Sequence, residues 1–285
     1  MLRFARLSRT QMPIFEVQID DDLARWEVSG ETGFGADEVL LDRDDDLTRD
    51  CPWADRGYTI AKFLPAPDRE ALIAGVARIL AGIMAQEGIA VPPDFELATY
   101  HRVVATDDAH ARVIAHTRRC FPLDRLPIPI AAIERRVSEI LGVGVTVLDH
   151  VDARACFCLR IVRPQAPDNN PPHRDVWLDR LRNAVNIYVP LAASNARSSL
   201  PVVPGSHRWK ESELERTKAG AVVDRFAYTV PSVVGATRSL RMTRPDPGSD
   251  EVLVFSPYLV HGGARNFNTD ETRVSLEMRF VRAPK

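Results

Sequence analysis

The chain has 285 residues, with 37 Lys and Arg against 39 Asp and Glu, a formal net charge of −2, 45% hydrophobic and 27% charged residues. That balance excludes a disordered chain, a collagen-like repeat and a coiled-coil rod, and the length suffices for one large domain or two small ones. Near-neutrality gives no overall basic field for nucleic acid. The charge is uneven, however. Residues 1–50 carry net −7 and the remainder net +5, and 33 of the 37 bases are Arg. A mildly cationic body rich in Arg suits recognition of carboxylates and phosphates, although genomic base composition also raises Arg.

The four cysteines, Cys51, Cys120, Cys156 and Cys158, are sparse and include no Cys-x-x-Cys pair. They read as buried free thiols. The apolar runs fall short of the ~20 residues of a membrane span, and the N-terminus lacks the apolar core of a secretory signal. These features predict a soluble cytoplasmic protein with no membrane or nucleic-acid partner. Oligomeric state has no sequence signal.

In chain order, residues 1–50 read as an acidic peripheral segment, a lid or an arm, with Asp20-Asp21-Asp22 and Asp44-Asp45-Asp46 as solvated loops. A single domain over 51–285 follows. Residues 57–64 predict a short strand. Pro65, Pro67 and the acids after it start a helix whose stripe is Leu72, Val76, Ile79, Leu80 and Ile83, with Gly88 as its stop. A second helix is predicted at about 108–119 and a third at about 129–141, capped by Gly142. Beyond residue 144 come short β-branched runs separated by Pro and Gly: 145–148, 155–162, 184–191, 199–203, 225–230, 251–255 and 273–281. Helices first and strands second predict an α+β protein, with helices packed on one face of a β sandwich or barrel.

Of the seven histidines, His101, His110 and His116 fall in the helical half and His150 ends an apolar strand. His173 and His261 stand apart. In His173-Arg174-Asp175, residues i and i+2 of an extended segment face the same way, so His173 and Asp175 enter one cavity while Arg174 points away. His261 lies 88 residues later, followed by two glycines. Two imidazoles and one carboxylate compose the facial triad of non-haem Fe(II) oxygenases, which leaves positions open for co-substrate and O2. The run Arg273–Phe280 alternates, with Arg273, Ser275, Glu277 and Arg279 on one face. Arg273 and the Ser275 hydroxyl can clamp the distal carboxylate of a 2-oxo acid by charge-assisted hydrogen bonds.

The ordered set Gly57-Tyr58, His173-Arg174-Asp175, Asn186 to Leu191, Pro204-Gly205-Ser206-His207, His261-Gly262 and Arg273-Val274-Ser275 resembles the phytanoyl-CoA dioxygenase (PhyH-like) family of Fe(II)/2-oxoglutarate oxygenases over roughly residues 55–282. The resemblance implies a double-stranded β-helix (jelly-roll, cupin-like) core. It implies His173, Asp175 and His261 as iron ligands, Arg273 with Ser275 as the 2-oxoglutarate anchor, and a structural role for His207. The carboxylate at Asp175 argues against halogenating relatives, which have a small residue there. The implied reaction consumes O2 and converts 2-oxoglutarate to succinate and CO2 while oxidising an unactivated C–H bond, with hydroxylation as the default outcome.

Asn186 and Tyr188 alternate on a strand and are candidates to line the cofactor pocket. Arg160, Arg238, Arg241 and Arg279 are candidates for an anionic substrate group, with a solvated loop as the equal alternative for the 238–244 set. A small polar or carboxylated metabolite suits this set better than an acyl-CoA. The rival readings are a metal-binding pseudoenzyme and a cupin-type binding protein or isomerase; the Arg273-x-Ser275 pair placed after His261 favours the oxygenase.

Overall fold

The computed structural model describes residues 14–43, 46–117, 120–147, 155–168, 170–223 and 226–284. The strands in chain order are β1 (Ile14–Ile19), β2 (Asp22–Ser29), β3 (Thr32–Phe34), β4 (Tyr58–Lys62), β5 (Phe121–Pro122), β6 (Val145–Val147), β7 (Cys156–Val162), β8 (Ala184–Ala192), β9 (Leu214–Thr217), β10 (Ala221–Val223), β11 (Phe226–Tyr228), β12 (Val233–Ala236), β13 (Arg241–Met242), β14 (Glu251–Phe255) and β15 (Arg273–Arg282). The helices are α1 (Ala66–Gln86), α2 (Tyr100–Val103), α3 (Asp107–Thr117) and α4 (Ile130–Leu141).

The major sheet runs β4-β14-β8-β15-β7-β5, with β6 added at the end of β15. Its pairings are antiparallel throughout. Period-two alternation gives it two different faces. Val274, Leu276, Met278 and Phe280 of β15 and Val185, Ile187 and Val189 of β8 join Leu72, Val76 and Leu80 of α1, Val113 of α3, and Ile133 and Val137 of α4 in the largest core cluster. Each such side chain contributes about 1.5–3 kcal/mol on full burial. The opposite face carries Asn186, Tyr188, Arg273, Ser275, Glu277 and Arg279 toward the interior of the jelly roll. The α+β expectation, helices on one face of a double-stranded β-helix, describes this arrangement. Pro67 in the first turn of α1 and Gly142 in left-handed geometry after α4 act as predicted.

The second wall corrects the reading of residues 1–50 as peripheral. β1 and β2 form a hairpin inside a sheet ordered β11-β10-β2-β1-β13, and β3 joins β9 and β12 in a smaller one. Val17, Ile19, Ala24, Trp26 and Val28 pack into a core of their own with Val223, Val233 and Met242. Asp20 is the hairpin turn, and its carboxylate accepts hydrogen bonds from the Thr243 hydroxyl (2.8 Å) and the Arg244 backbone N–H (3.0 Å). Asp46 is buried rather than solvated and accepts from the Ser256 hydroxyl and the Thr48 backbone N–H. Burial raises its pKa despite those donors. Residues 199–203 are not a strand; Val202 makes only isolated bridges to Thr243 and His261.

The four-thiol expectation is also corrected. Cys120 and Cys158 form a disulfide, while Cys51 and Cys156 stay outside it. The cause is a pairing with no local signature. β5 lies beside β7 with Phe121 opposite Phe157, which sets Cys120 against Cys158 across 38 residues of chain. No described helix is long and apolar enough to cross a membrane.

Candidate metal centre

The backbone brings the two histidines together. The His173 N–H donates to the His261 carbonyl (2.9 Å), and the His261 N–H donates back to the His173 carbonyl (3.0 Å). This isolated bridge sets the imidazoles side by side, centroids 4.5 Å apart. Arg174 is extended, so Asp175 emerges on the same side as His173, as the i, i+2 argument requires. Arg174 turns the other way into a fully buried pocket, where it donates to Glu211 and to the Ser206 and Trp209 carbonyls.

One ligand atom each from His173, Asp175 and His261 lies within 4.8 Å of the others, and all three residues are buried. The ring orientations decide whether this set suits a metal. Nδ1 of His173 is 2.7 Å from the Pro171 carbonyl, and Nδ1 of His261 is 2.8 Å from the Leu259 carbonyl. Each Nδ1 therefore carries the proton, and each Nε2 presents its lone pair on the side where Asp175 Oδ1 lies, 3.2 Å and 3.9 Å away. Burial, reinforced by His173, lowers the His261 pKa to about 3, so that imidazole is neutral and fit to ligate. Burial would raise the Asp175 pKa, but the Arg279 guanidinium beside it outweighs burial and holds the carboxyl well below its ordinary range. An ionised carboxylate with two imidazoles on one side of a cavity is a donor set that fits ferrous iron.

The surrounding shell explains several predicted residues. Asn186 Nδ2 and Arg279 Nε both donate to Asp175 Oδ2, at 3.0 and 2.9 Å. Asn186 and Arg279 thus orient the ligand carboxylate and leave Oδ1 facing the histidines. Gly262 follows His261 at φ +101°, and a Cβ there would lie 2.6 Å from the Pro171 carbonyl oxygen and 3.1 Å from His173 Nδ1. Gly57, at φ +78°, leaves room for His207, whose Nδ1 would be 2.6 Å from a Cβ at that position. His207 Nε2 bonds the Ala54 carbonyl, and burial lowers its pKa to about 4. It is structural and away from the triad.

Arg273 and Ser275 meet as expected, with Nη1 donating to the hydroxyl at 2.9 Å and both residues fully buried. The guanidinium centre sits 5.9 Å from the Tyr188 ring centroid, and the Tyr188 hydroxyl pairs with Ser194 at 2.7 Å. What the sequence did not reveal is that Arg273 already holds a carboxylate. Its Nη2 donates to Asp168 Oδ2 at 2.6 Å. The guanidinium is thus paired with a carboxylate of the chain itself. Asp168 lies in a loop with no periodicity to flag it.

The chamber beside the triad is lined by Asp168, Asn170, Asn186, Leu200, Phe255 and Arg279 among others and is shut down to about 10 Å3. That is room for about one water. Phe255 packs edge-on against His261, centroids 4.8 Å apart.

Other predicted residues fall elsewhere. Arg160 is on the interior face, but its Nε bonds Glu277 at 3.1 Å. Arg238 is exposed, pairs with Glu213 and covers Trp209. Arg241 is exposed on β13, in register with Gln18. The structure brings neither Arg238 nor Arg241 to the chamber. His101, His110 and His116 bond Thr272, Tyr100 and Glu87, respectively, consistent with structural roles. His150 lies outside the described residues.

A family model described as phytanoyl-CoA dioxygenase matches residues 53–275. No curated protein matches the chain. Among solved structures, EctD from S. alaskensis with 2-oxoglutarate and 5-hydroxyectoine is similar at 14% identity, covering 97% of this chain and 86% of that one with a TM-score of 0.46. The epimerase SnoN, in complex with Fe3+, alpha ketoglutarate and nogalamycin RO, is similar at 17% identity, with 86% and 84% covered and a TM-score of 0.44.

Proposed function

Because the chain belongs to the phytanoyl-CoA dioxygenase family of Fe(II)/2-oxoglutarate-dependent oxygenases, we propose that it hydroxylates an unactivated C–H bond of a small polar or anionic metabolite, releasing succinate and CO2. The observation that carries this reading is the buried His173–Asp175–His261 cluster with both Nδ1 atoms tied to backbone carbonyls. These three residues hold the iron, and Asn186 and Arg279 fix the Asp175 carboxylate. Bound iron supplies activation of O2, driven by oxidative decarboxylation of 2-oxoglutarate.

The protein contributes binding, orientation and dryness. Arg273 and Ser275 receive the distal carboxylate of 2-oxoglutarate, and the permanent charge of Arg273 is what a buried carboxylate needs. Tyr188 packs beside that guanidinium. Leu200 and Phe255 present an apolar wall that keeps water from the reacting C–H bond.

The test is anaerobic addition of Fe(II) and 2-oxoglutarate. A weak visible charge-transfer band is expected, lost in His173→Ala and shifted in Arg273→Ala. Folded protein with neither the band nor succinate formation overturns the reading.

A further inference from the structure

A second cavity adjoins the metal chamber, and its volume of about 340 Å3 falls within the range of about 300–1,000 Å3 typical of small-ligand sites. It is a groove lined by Leu159, Arg160 and Ile161 of β7, by residues 227–230 at the end of β11, and by Ile114 and Thr117 of α3. β5 pairs with β7 only at Cys156 and Phe157, and among the described residues no strand pairs with the rest of that edge. Asp168 and Asn170 line both the groove and the metal chamber. They form the partition between the two.

The charge in the groove has one sign to spare. Its acidic lining residue is Asp168, already neutralised by Arg273. Its cationic lining residues are Arg160 and Arg180. Arg160 is already ion-paired through its Nε with Glu277, its two terminal nitrogens making no hydrogen bond among the described residues, so the charge to spare is that of Arg180. Arg180 is exposed, with no carboxylate partner among the described residues. Two guanidinium forks beside Ile114, Leu159 and Val230 suit a carboxylate attached to a short apolar body.

Building on the oxygenase reading above, we propose that this groove is the substrate site and that its substrate is a carboxylate-bearing small molecule, held by Arg160 and Arg180 with its apolar body reaching past Asp168 and Asn170 toward the triad. Arg180 is the specificity residue that the sequence did not reveal.

The probe is octanoate against its neutral amide, octanamide, titrated into metal-free protein by calorimetry. Octanoate is expected to bind at least ~10-fold tighter, since a hydrogen bond to a charged group contributes about 1.5–3 kcal/mol. Because Arg180 is exposed, Arg180→Gln is expected to fold normally and to weaken octanoate by about 10-fold while leaving octanamide unchanged. Arg160→Gln is expected to act in the same direction, with Arg180→Gln the deciding variant if loss of the Glu277 pair impairs folding. Equal affinity for acid and amide, no binding of either, or octanoate affinity indifferent to Arg180→Gln overturns the assignment. The charge-transfer band separates the two readings. A protein that shows the band but fails to distinguish acid from amide refutes only the groove. A protein without the band refutes the oxygenase reading, while the calorimetry stands by itself.

Discussion

The ion pair between Arg273 and Asp168 makes Asp168→Asn the most informative single substitution. Arg273 is fully buried and the Asp168 side chain is 9% exposed, so neither charge is screened by much water. In the unliganded protein, removing the carboxylate leaves a buried guanidinium without its counter-charge, which costs about 3–5 kcal/mol when no substitute is present. An Asn carbonyl can still accept one hydrogen bond, so the lower end is expected. The effect on 2-oxoglutarate has the opposite sign. On the function proposed above, its distal carboxylate has to displace Asp168 from Nη2 in the wild type. A charge-assisted hydrogen bond is worth about 1.5–3 kcal/mol, so removing the competitor tightens 2-oxoglutarate by about 10- to 100-fold. The assay has two parts. Anaerobic titration of Fe(II)-loaded protein, followed at the charge-transfer band, reads the affinity. Thermal melting without and with saturating 2-oxoglutarate reads the stability, which is expected to fall in the unliganded variant and recover on binding. Unchanged or weaker 2-oxoglutarate binding would refute the reasoning and make Asp168 part of the binding frame.

Other outcomes follow from the same geometry. Arg279→Met removes one of the two donors to Asp175 Oδ2 and is expected to lower iron affinity by about 10- to 100-fold, measured by competition with a chelator; unaltered affinity would show that Asn186 alone orients the ligand. Gly262→Ala forces a Cβ against the Pro171 carbonyl and His173 at a positive φ, so circular dichroism is expected to show a folded protein whose metal content is reduced. His110 and His207 both have pKa values lowered by burial to about 4. The unfolded chain therefore binds more protons than the folded one between about pH 6.5 and pH 4, and stability is full above that window and lost as pH falls through it. Unfolding free energies from denaturant titration are expected to decline as pH falls over this range by up to about 1.4 kcal/mol per pH unit for each histidine, and His207→Gln is expected to flatten the slope.

Local chemistry made much of this protein legible before its fold was known. The i, i+2 geometry of His173 and Asp175 depends only on an extended backbone, and Arg174 is extended. The alternation of β15 is a property of its own ten residues, and it sorted Arg273, Ser275, Glu277 and Arg279 from Val274, Leu276, Met278 and Phe280 before any partner strand was known. The helices α1 and α4 announced their ends through Pro67 and Gly142. The charge split of −7 and +5 misled, because it suggested a peripheral lid or arm. The buried faces of β1 and β2 are only two and three residues deep, and an acidic turn separates them.

Tertiary structure alone decided which charges meet. Asp168 and Arg273 are 105 residues apart, Arg279 and Asp175 104, and Arg160 and Glu277 117. Each pair forms because antiparallel strands and the loops between them fold back into one interior, and no periodicity records such a meeting. The disulfide between Cys120 and Cys158 has the same origin in the β5–β7 pairing. Sequence determined the chemical character of the site, since two imidazoles, a carboxylate and an arginine with a serine are needed whatever surrounds them. Packing determined how those groups are employed: Arg279 and Asn186 donate to the Asp175 carboxylate, Asp168 pairs with Arg273, and Glu277 pairs with Arg160, because burial leaves each charge only the partners that the fold brings within reach.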